Sequence, residues 1–337
     1  MAKGLDVGTC FLVGATYSDE TEMASVSIRS VRDAFIDIDN EKSTRNMLKM
    51  SKVPFIEKED TLYIIGDASL RMANILKKEV RRPLSQGVIA AGEREAEKIL
   101  MLLLKEVVGE PSPKGEVLYF SVPAAPLDKD ADVFYHEAMF KKILTSFGYT
   151  AEAMNEATAV VYANAEAEEF TALGLSFGAG MTNAALLYQT VAGMKFSVAR
   201  GGDWIDEGAA RATGKTQAQI MAIKEQGVDL LDPIKGDPKT EREREAVVVY
   251  YKNLINYVVD SIKKEFRRAE SAVQIEKPLP IIISGGTSQA GNFLEFFKRE
   301  FAKIKDFPFE VSEIRMANDP LADVAKGLLI AASLESE

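Results

Sequence analysis

Apolar and polar residues alternate along several short stretches of the chain, with the period of two that is typical of half-buried β-strands. Residues 23–31 (MASVSIRSV) and 33–39 (DAFIDID) show this alternation. Residues 3–9 (KGLDVGT) and 11–16 (FLVGAT) are apolar runs joined by a glycine turn, which predicts a β-hairpin. The more continuous apolar run at 115–124 (GEVLYFSVPA) predicts a buried strand.

Segments with helical periodicity lie between the strands. Thr240 and Glu243 fit a capping box at the start of the longest of them. Residues 190–206 predict a strand followed by a loop. The alternation of strands and helices indicates an α/β protein with mixed sheets. Helices are predicted at 92–109, 130–147, 155–169 and about 240–271, with a last one that begins at Asn318 or Asp319.

Composition narrows the possible function classes. The net charge of −10 argues against nucleic acid as a partner, because phosphate backbones attract basic surfaces. One cysteine, Cys10, and one histidine, His136, exclude an internal disulfide and a Cys/His metal site. We expect His136 at the surface or at its boundary. No apolar run reaches the roughly 20 residues that span a membrane, and no signal peptide precedes the first strand, so we expect a cytoplasmic protein.

A short pattern occurs twice, about half the chain apart. GLDVGTCFLVGA at 4–15 resembles GLSFGAGMTNAAL at 174–186. The pattern predicts two similar hairpins in a duplicated domain, although so short a match also arises by chance. Backbone N–H groups of a glycine turn can bind phosphate, and Asp6 beside the first turn suits a hydrated Mg²⁺ that bridges to the phosphates. A plain hairpin, with Asp6 capping its own turn, is the alternative.

A third glycine segment follows a buried strand near the C-terminal end. Residues 281–288 (IIISGGTS) run from apolar residues into Gly285 and Gly286. Glycines at the carboxyl end of a strand let a flat ligand or a phosphate approach the backbone closely. A tight connection from strand to helix explains the same pattern equally well.

Five segments, in this order, resemble the signatures of the actin-like ATPase superfamily. That superfamily includes actin, the bacterial actins MreB and MamK, the seventy-kilodalton heat-shock chaperones and the sugar kinases. The segments RRPLSQGVI at 81–89 and GGDWIDE at 201–207 further resemble MreB-type and MamK-type actins. The five signatures are DVGT at 6–9, NEATAVVYA at 155–163, SFGAGMT at 176–182, IIISGGTS at 281–288 and ANDPLADVAKGLLIAA at 317–332.

The resemblance implies a two-lobed actin-like fold, in which each lobe is built on a ribonuclease-H-like mixed β-sheet flanked by helices. It implies a domain I at 1–150, with a small insertion at about 31–75. It implies a domain II at 151–337, with an insertion at about 206–274. ATP or ADP with Mg²⁺ would occupy the cleft between the two domains.

The resemblance also implies roles for individual residues. Asp6 would hold the hydration shell of Mg²⁺, and Glu156 would position the water that attacks the γ-phosphate. A glutamate favoured by the dipole of its own helix is the alternative interpretation of Glu156. Asp206 and Lys224 would reach the ribose or the base, although Lys224 also fits an ordinary solvated lysine. The implied nucleotide-binding residues are Gly8, Thr9, Cys10, Gly178, Ala179, Gly180, Met181, Thr182, Gly202, Asp206, Lys224, Gly285, Gly286 and Thr287.

The second glycine turn departs from the superfamily pattern at one position. Relatives carry an aspartate where this chain has Ser176. A hydroxyl can still bond a metal-bound water, but it adds no negative charge and is a weaker ligand for a hard cation. The resemblance therefore implies nucleotide binding and leaves Mg²⁺ affinity and hydrolysis in question.

Three functions are compatible with the resemblance. The first is an ATP-binding actin that assembles into filaments of its own copies, hydrolyses ATP slowly and contacts a membrane-associated or adaptor protein. The second is a nucleotide-binding adaptor of the FtsA or PilM type with weak or no hydrolysis, which Ser176 favours. The third is a small-molecule kinase, for which the sequence contains no clear substrate-phosphorylating aspartate motif. A preference for ATP over GTP does not follow from the sequence.

Overall fold

The computed structural model describes residues 2–18, 25–269, 275 and 277–336. The strands, in chain order, are β1 (Ala2–Val7), β2 (Phe11–Tyr17), β3 (Val26–Arg32), β4 (Phe35–Asp39), β5 (Ile56–Lys58), β6 (Thr61–Ile65), β7 (Leu84–Ser85), β8 (Val88–Ile89), β9 (Val117–Val122), β10 (Thr150–Asn155), β11 (Ala172–Phe177), β12 (Thr182–Tyr188), β13 (Val191–Val198), β14 (Leu279–Ser284) and β15 (Val311–Met316). The helices are α1 (Lys42–Met50), α2 (Asp67–Leu76), α3 (Ala96–Val108), α4 (Val133–Phe147), α5 (Glu156–Asn164), α6 (Gly202–Thr213), α7 (Gln217–Glu225), α8 (Glu241–Ala269), α9 (Phe293–Phe301) and α10 (Asp323–Ser336).

Two five-stranded mixed sheets form the centres of two lobes. Their strand orders are β3-β2-β1-β9-β10 and β13-β12-β11-β14-β15. In each sheet three antiparallel strands continue into two parallel ones. The hairpins β1–β2 and β11–β12 therefore occupy equivalent positions, as the repeated pattern predicts. The α/β class and the two-lobed architecture are confirmed.

The glycines that open the two halves of the repeat lie where helices cross the sheets closely. A Cβ on Gly4 would overlap the carbonyl oxygen of Ala325 on α10. A Cβ on Gly174 would overlap the carbonyl oxygen of Ala157 on α5. Both glycines therefore allow a helix backbone to rest directly on the hairpin strand. Helices α5 and α10 pack against each other as well, so they join the two lobes.

A smaller sheet lies beside the first lobe. It has the strand order β4-β6-β5 and packs with α1 and α2 around a separate core that contains Ile36, Leu48, Leu62 and Ile64. These elements run from Phe35 to Leu76, close to the predicted insertion at 31–75. Helices α7 and α8 lie within the other predicted insertion, and α6 begins four residues before it. Residues 270–274 of that insertion fall outside the described part. Residues 23 and 24 of the first alternating segment also fall outside it.

The predicted capping box at Thr240 is wrong. Helix α8 begins at Glu241, after a 3-10 turn at Pro238–Thr240 that is capped by Asp237. The Thr240 hydroxyl donates to the Asp237 carbonyl at 3.2 Å, and the Glu243 carboxylate lies 3.7 Å from the Lys215 ammonium. Neither side chain therefore bonds the helix-start backbone as a capping box requires.

Two helix starts also differ from the prediction. Helix α10 begins at Asp323, because the chain from Asp319 to Ala322 forms a turn that holds the Pro320 carbonyl outside the helix. Helix α6 occupies Gly202–Thr213, where the pattern predicts a loop from the strand end onward. The helix begins with Gly202 and Asp203, which do not show the apolar periodicity by which a helix is recognised in a sequence.

The expectation of a surface position for His136 is wrong. The side chain is 0% exposed and lies on α4 with its ring centroid 4.8 Å from that of Phe140. Neither ring nitrogen has a hydrogen-bond partner in the described residues. Burial lowers the pKa of His136 to about 4, so the imidazole is neutral at pH 7. Among the described helices, none is long and apolar enough to cross a bilayer.

Candidate functional site

A cleft of about 680 Å³ lies between the two lobes, and the three glycine segments predicted from the sequence line it. One predicted residue does not line it: Thr182 is buried, and its hydroxyl donates to the Arg200 carbonyl at 2.8 Å. The predicted residues that do line the cleft are Asp6, Gly8, Thr9, Cys10, Glu156, Ser176, Gly178, Ala179, Gly180, Met181, Gly202, Asp206, Lys224, Gly285, Gly286 and Thr287.

The turns of the two hairpins face each other across the cleft. A Cβ on Gly180 would overlap the Thr9 hydroxyl and would lie 2.5 Å from the backbone nitrogen of Gly87. The Gly87 N–H in turn donates to the Thr9 hydroxyl at 2.9 Å. Only a residue without a side chain fits at position 180, because the second glycine turn packs there against the Thr9 side chain of the first turn and the backbone of residues 86–87.

The backbone amides of the turns divide into two groups. The N–H groups of Gly8 and Gly178 close their own turns, with bonds to the carbonyls of Phe11 at 3.0 Å and Met181 at 2.9 Å. They are therefore not donors to a ligand in this conformation. The N–H groups of Thr9, Cys10, Ala179 and Gly180 donate to none of the described residues. These amides can form an anion-binding concavity from both sides of the cleft.

Two carboxyl groups, the half-buried Asp6 and the buried Glu156, lie beneath the turns. Asp6 lies near the end of β1, and its Oδ1 accepts a hydrogen bond from the Ser121 hydroxyl at 2.9 Å. Burial raises the pKa of Asp6 to about 6. Glu156 is the first residue of α5, directly after its N-cap Asn155. Burial, and then the neighbouring charge of Asp6, raise the pKa of Glu156 to about 8.

The hydroxyl of Ser176 points at Glu156. It donates to Glu156 Oε2 at 3.4 Å, and the Asn183 amide donates to the same oxygen at 2.9 Å. Among the described residues, no group of three or more His, Cys, Asp and Glu side chains could hold a metal alone. Mg²⁺ commonly keeps several waters and binds one or two carboxylates together with substrate phosphates. Asp6 fits that sparse donor set, whereas Ser176 is engaged with Glu156.

The Gly-Gly-Thr segment lines the cleft beside the second glycine turn. Gly285 has a φ of 98°, which only glycine adopts without strain, and its N–H donates to the Pro320 carbonyl at 2.9 Å. The Thr287 hydroxyl donates to the Gly178 carbonyl at 2.8 Å. These bonds hold the segment against both the second glycine turn and the turn before α10. Leu321, 58% exposed, adds an apolar surface beside Gly286.

Asp206 and Lys224 form an ion pair on the wall of the cleft. The Lys224 ammonium donates to Asp206 Oδ2 at 2.8 Å and to the Gly202 carbonyl at 3.1 Å. Burial raises the pKa of Asp206 to about 6, against the opposing effect of Lys224. The other carboxylate oxygen of Asp206 is buried without a hydrogen-bond partner in the described residues. An acceptor in that state suits a ligand hydroxyl. Lys224 is therefore more constrained than a solvated surface lysine.

Sequence reasoning missed an ion pair that crosses the cleft. Arg82 of the first lobe donates to both oxygens of Asp203 at the start of α6, at 3.0 and 3.2 Å. Buried Asp33 accepts from the Leu84 N–H at 3.0 Å and so fixes the segment that carries Arg82. Residues 81–89, which contain Arg82, resemble a segment of MreB-type and MamK-type actins. The sequence pattern does not indicate, however, that Arg82 pairs with a residue so distant in the chain.

Solved structures with a similar fold include one of a filament and two of a nucleotide-bound protein. "MamK double helical filament" matches with a TM-score of 0.69 and 19% identity, over 99% of this chain and 98% of that one. MreB5 of Spiroplasma citri bound to AMPPNP matches with a TM-score of 0.66 and 15% identity, over 99% and 96%. The same protein bound to ADP matches with a TM-score of 0.64 and 15% identity, over 96% and 94%.

These likenesses confirm an actin-like fold of the MreB and MamK type. No curated protein matches the sequence. The family model described as Volactin matches residues 1–332, nearly the whole length of the chain. The chain therefore belongs to the Volactin family.

Proposed function

We propose that this chain is an actin-like protein that binds ATP in the cleft, assembles with further copies of itself into filaments and hydrolyses the nucleotide slowly. The observation that carries the proposal is the approach of two glycine turns above the half-buried carboxyl group of Asp6 and the buried one of Glu156. Four amides of these turns donate to none of the described residues. A concavity lined by backbone N–H groups binds anions, so a polyphosphate suits it better than a neutral ligand does.

The cleft has a suitable group for each part of the nucleotide. The amides of residues 9–10 and 179–180 would hold the phosphates. Asp206 Oδ1 and Lys224 would bind the ribose, and Gly285, Gly286 and Thr287 would contact the base, with Leu321 covering its face. Mg²⁺, held through water by Asp6, would neutralise phosphate charge and favour the ionised carboxylates.

Hydrolysis would use Glu156 as the base. Its carboxylate accepts a proton from a water molecule whose oxygen forms a bond to the γ-phosphorus. The bond from that phosphorus to the oxygen bridging to the β-phosphate breaks, which leaves ADP and inorganic phosphate. Because the pKa of Glu156 is raised to about 8, only part of the nucleotide-free protein carries the ionised base at pH 7.

Assembly into filaments is proposed from the fold and from its neighbours. The domains are taken as 1–150 and 151–337, joined by α5 and α10, and closure of the cleft would complete the nucleotide contacts. A MamK variant described as non-polymerising binds AMPPNP, so in that relative nucleotide binding and assembly are separable. We place the protein in the cytoplasm, with its own copies as the main partner and an adaptor or membrane-associated protein as a further one.

A nucleotide-binding adaptor with little hydrolysis is the second candidate, and one observation favours it. Position 176 supplies a hydroxyl, so the cation has one carboxylate fewer than in the superfamily pattern. Electron microscopy and light scattering with ATP, with ADP and without nucleotide separate the candidates. Polymer that requires nucleotide and releases phosphate supports the filament proposal. Nucleotide binding without polymer supports the adaptor function and contradicts the filament proposal.

A further inference from the structure

Three polar residues form a row across the second sheet, and the row ends at Glu156. Ser176 on β11 is the register partner of Asn183 on β12, which is the register partner of Ser197 on β13. Side chains of directly opposed residues lie on the same face of a sheet. All three are buried at 3% exposure or less. A buried polar row in a β-sheet needs partners for every donor and acceptor.

The middle member of the row contacts both lobes. The Asn183 amide nitrogen donates to Glu156 Oε2 at 2.9 Å, and its amide oxygen accepts from the Ala124 N–H at 3.1 Å. Ala124 follows β9 of the first sheet. The Ser197 hydroxyl donates to the carbonyl of the same Ala124 at 2.6 Å. The Glu156 carboxylate is therefore tied through one side chain to the backbone that leaves the first lobe.

The two donors leave the carboxylate asymmetric. Ser176 and Asn183 both bond Oε2, and Oε1 has no hydrogen-bond partner among the described residues. A carboxylate with one oxygen held and one free has a fixed plane and a single available acceptor. The charged group that acts on it from the other packed elements is Asp6 on β1, while the groups from β11 and β12 are neutral donors.

We infer that Asn183 is a positioning residue: it holds Glu156 Oε2, fixes it relative to the first lobe at Ala124, and leaves Oε1 to accept the proton of the attacking water. This inference rests on the proposed function. A donor to one carboxylate oxygen also favours the ionised form, so Asn183 supports both the orientation and the protonation state that a base requires.

Replacing Asn183 by aspartate tests the inference with a side chain of equal size. The change removes the donor and adds a negative charge beside Glu156. Carbon-13 NMR of the Glu156 carboxyl group, without nucleotide, should then show its titration moved upward by about one pH unit or more. Phosphate release at pH 7 should fall about tenfold to a hundredfold, with nucleotide affinity changed less than about threefold. Ser176→Ala, which removes the longer bond, should give a smaller shift in the same direction.

Asn292→Asp is the matched control. Its amide also donates to a carboxylate, Asp229, at 2.8 Å, but it lies outside the cleft. It should leave the Glu156 titration and phosphate release unchanged. An unchanged Glu156 titration in folded Asn183→Asp, or unchanged phosphate release, overturns the inference. So does a parent chain that binds nucleotide and never releases phosphate. Failure of the parent chain to bind nucleotide overturns the proposed function itself, and that failure is seen separately in the affinity measurement.

Discussion

The contact between the two glycine turns supports a quantitative prediction for Gly180→Ala. The added Cβ would lie 2.5 Å from the backbone nitrogen of Gly87 and still closer to the Thr9 hydroxyl. Ordinary carbon contacts begin near 3.5 Å, so the second glycine turn must move by about one ångström away from the Gly87 backbone and the Thr9 side chain. Inserting a methyl group into a tightly packed position costs about 1–3 kcal/mol. Because the amides of both turns are proposed to bind the same phosphates, this strain should appear in nucleotide affinity.

The expected loss of affinity follows directly from that strain. At about 1.4 kcal/mol for each factor of ten, Gly180→Ala should weaken nucleotide binding about 5-fold to 150-fold. Isothermal titration with ATP and Mg²⁺ measures the change. Gly92→Ala is the matched control, since no atom lies within 4 Å of its added Cβ, and it should bind like the parent chain. Affinity within twofold of the parent in a folded Gly180→Ala protein would refute the close approach of the turns as the basis of binding.

Four further predictions concern titratable or charged side chains. Glu156→Gln should lower phosphate release about 10²-fold to 10⁴-fold in a single-turnover assay while nucleotide affinity persists. The raised pKa of Glu156 stabilises the folded state below pH 4.5, and this contribution is lost as the pH rises to about 8, so urea unfolding of Glu156→Gln should lack that loss. The lowered pKa of His136 has the opposite effect: its contribution to stability is present above pH 6.5 and is lost towards pH 4, by about 1.4 kcal/mol per pH unit. A folded His136→Leu protein should therefore lose less stability on acidification than the parent. Arg82→Ala removes a partly exposed ion pair with Asp203 and should change the free energy of unfolding by less than about 1 kcal/mol; a much larger loss in urea titration would contradict this.

The repeated Gly-Leu pattern predicts more of the fold than its length suggests. Gly4 and Gly174 recur because a helix backbone rests on each hairpin strand at that point. The glycine turns recur where, under the proposed function, their amides bind the same phosphates. Such backbone requirements leave a visible trace, since few residues other than glycine satisfy them.

Side-chain pairs that form only when the two lobes are assembled leave no comparable pattern in the sequence. Arg82 and Asp203 meet only because the segment after the small sheet reaches α6. Asn183 lies within a recognised glycine segment, yet its bonds to Glu156 and Ala124 require three elements from different parts of the chain. His136 lies in a segment with helical periodicity, but the pattern does not indicate that its face of α4 is buried against the rest of the lobe.

A crystal structure or a cryo-electron microscopy map with Mg²⁺ and a non-hydrolysable ATP analogue tests the central claim most directly. We expect one nucleotide per chain, with its phosphates between residues 8–10 and 178–181 and its base against Gly285 and Gly286. We also expect the γ-phosphate to be the phosphate nearest to Glu156. A nucleotide bound elsewhere, or saturating analogue with an empty cleft, would contradict the account.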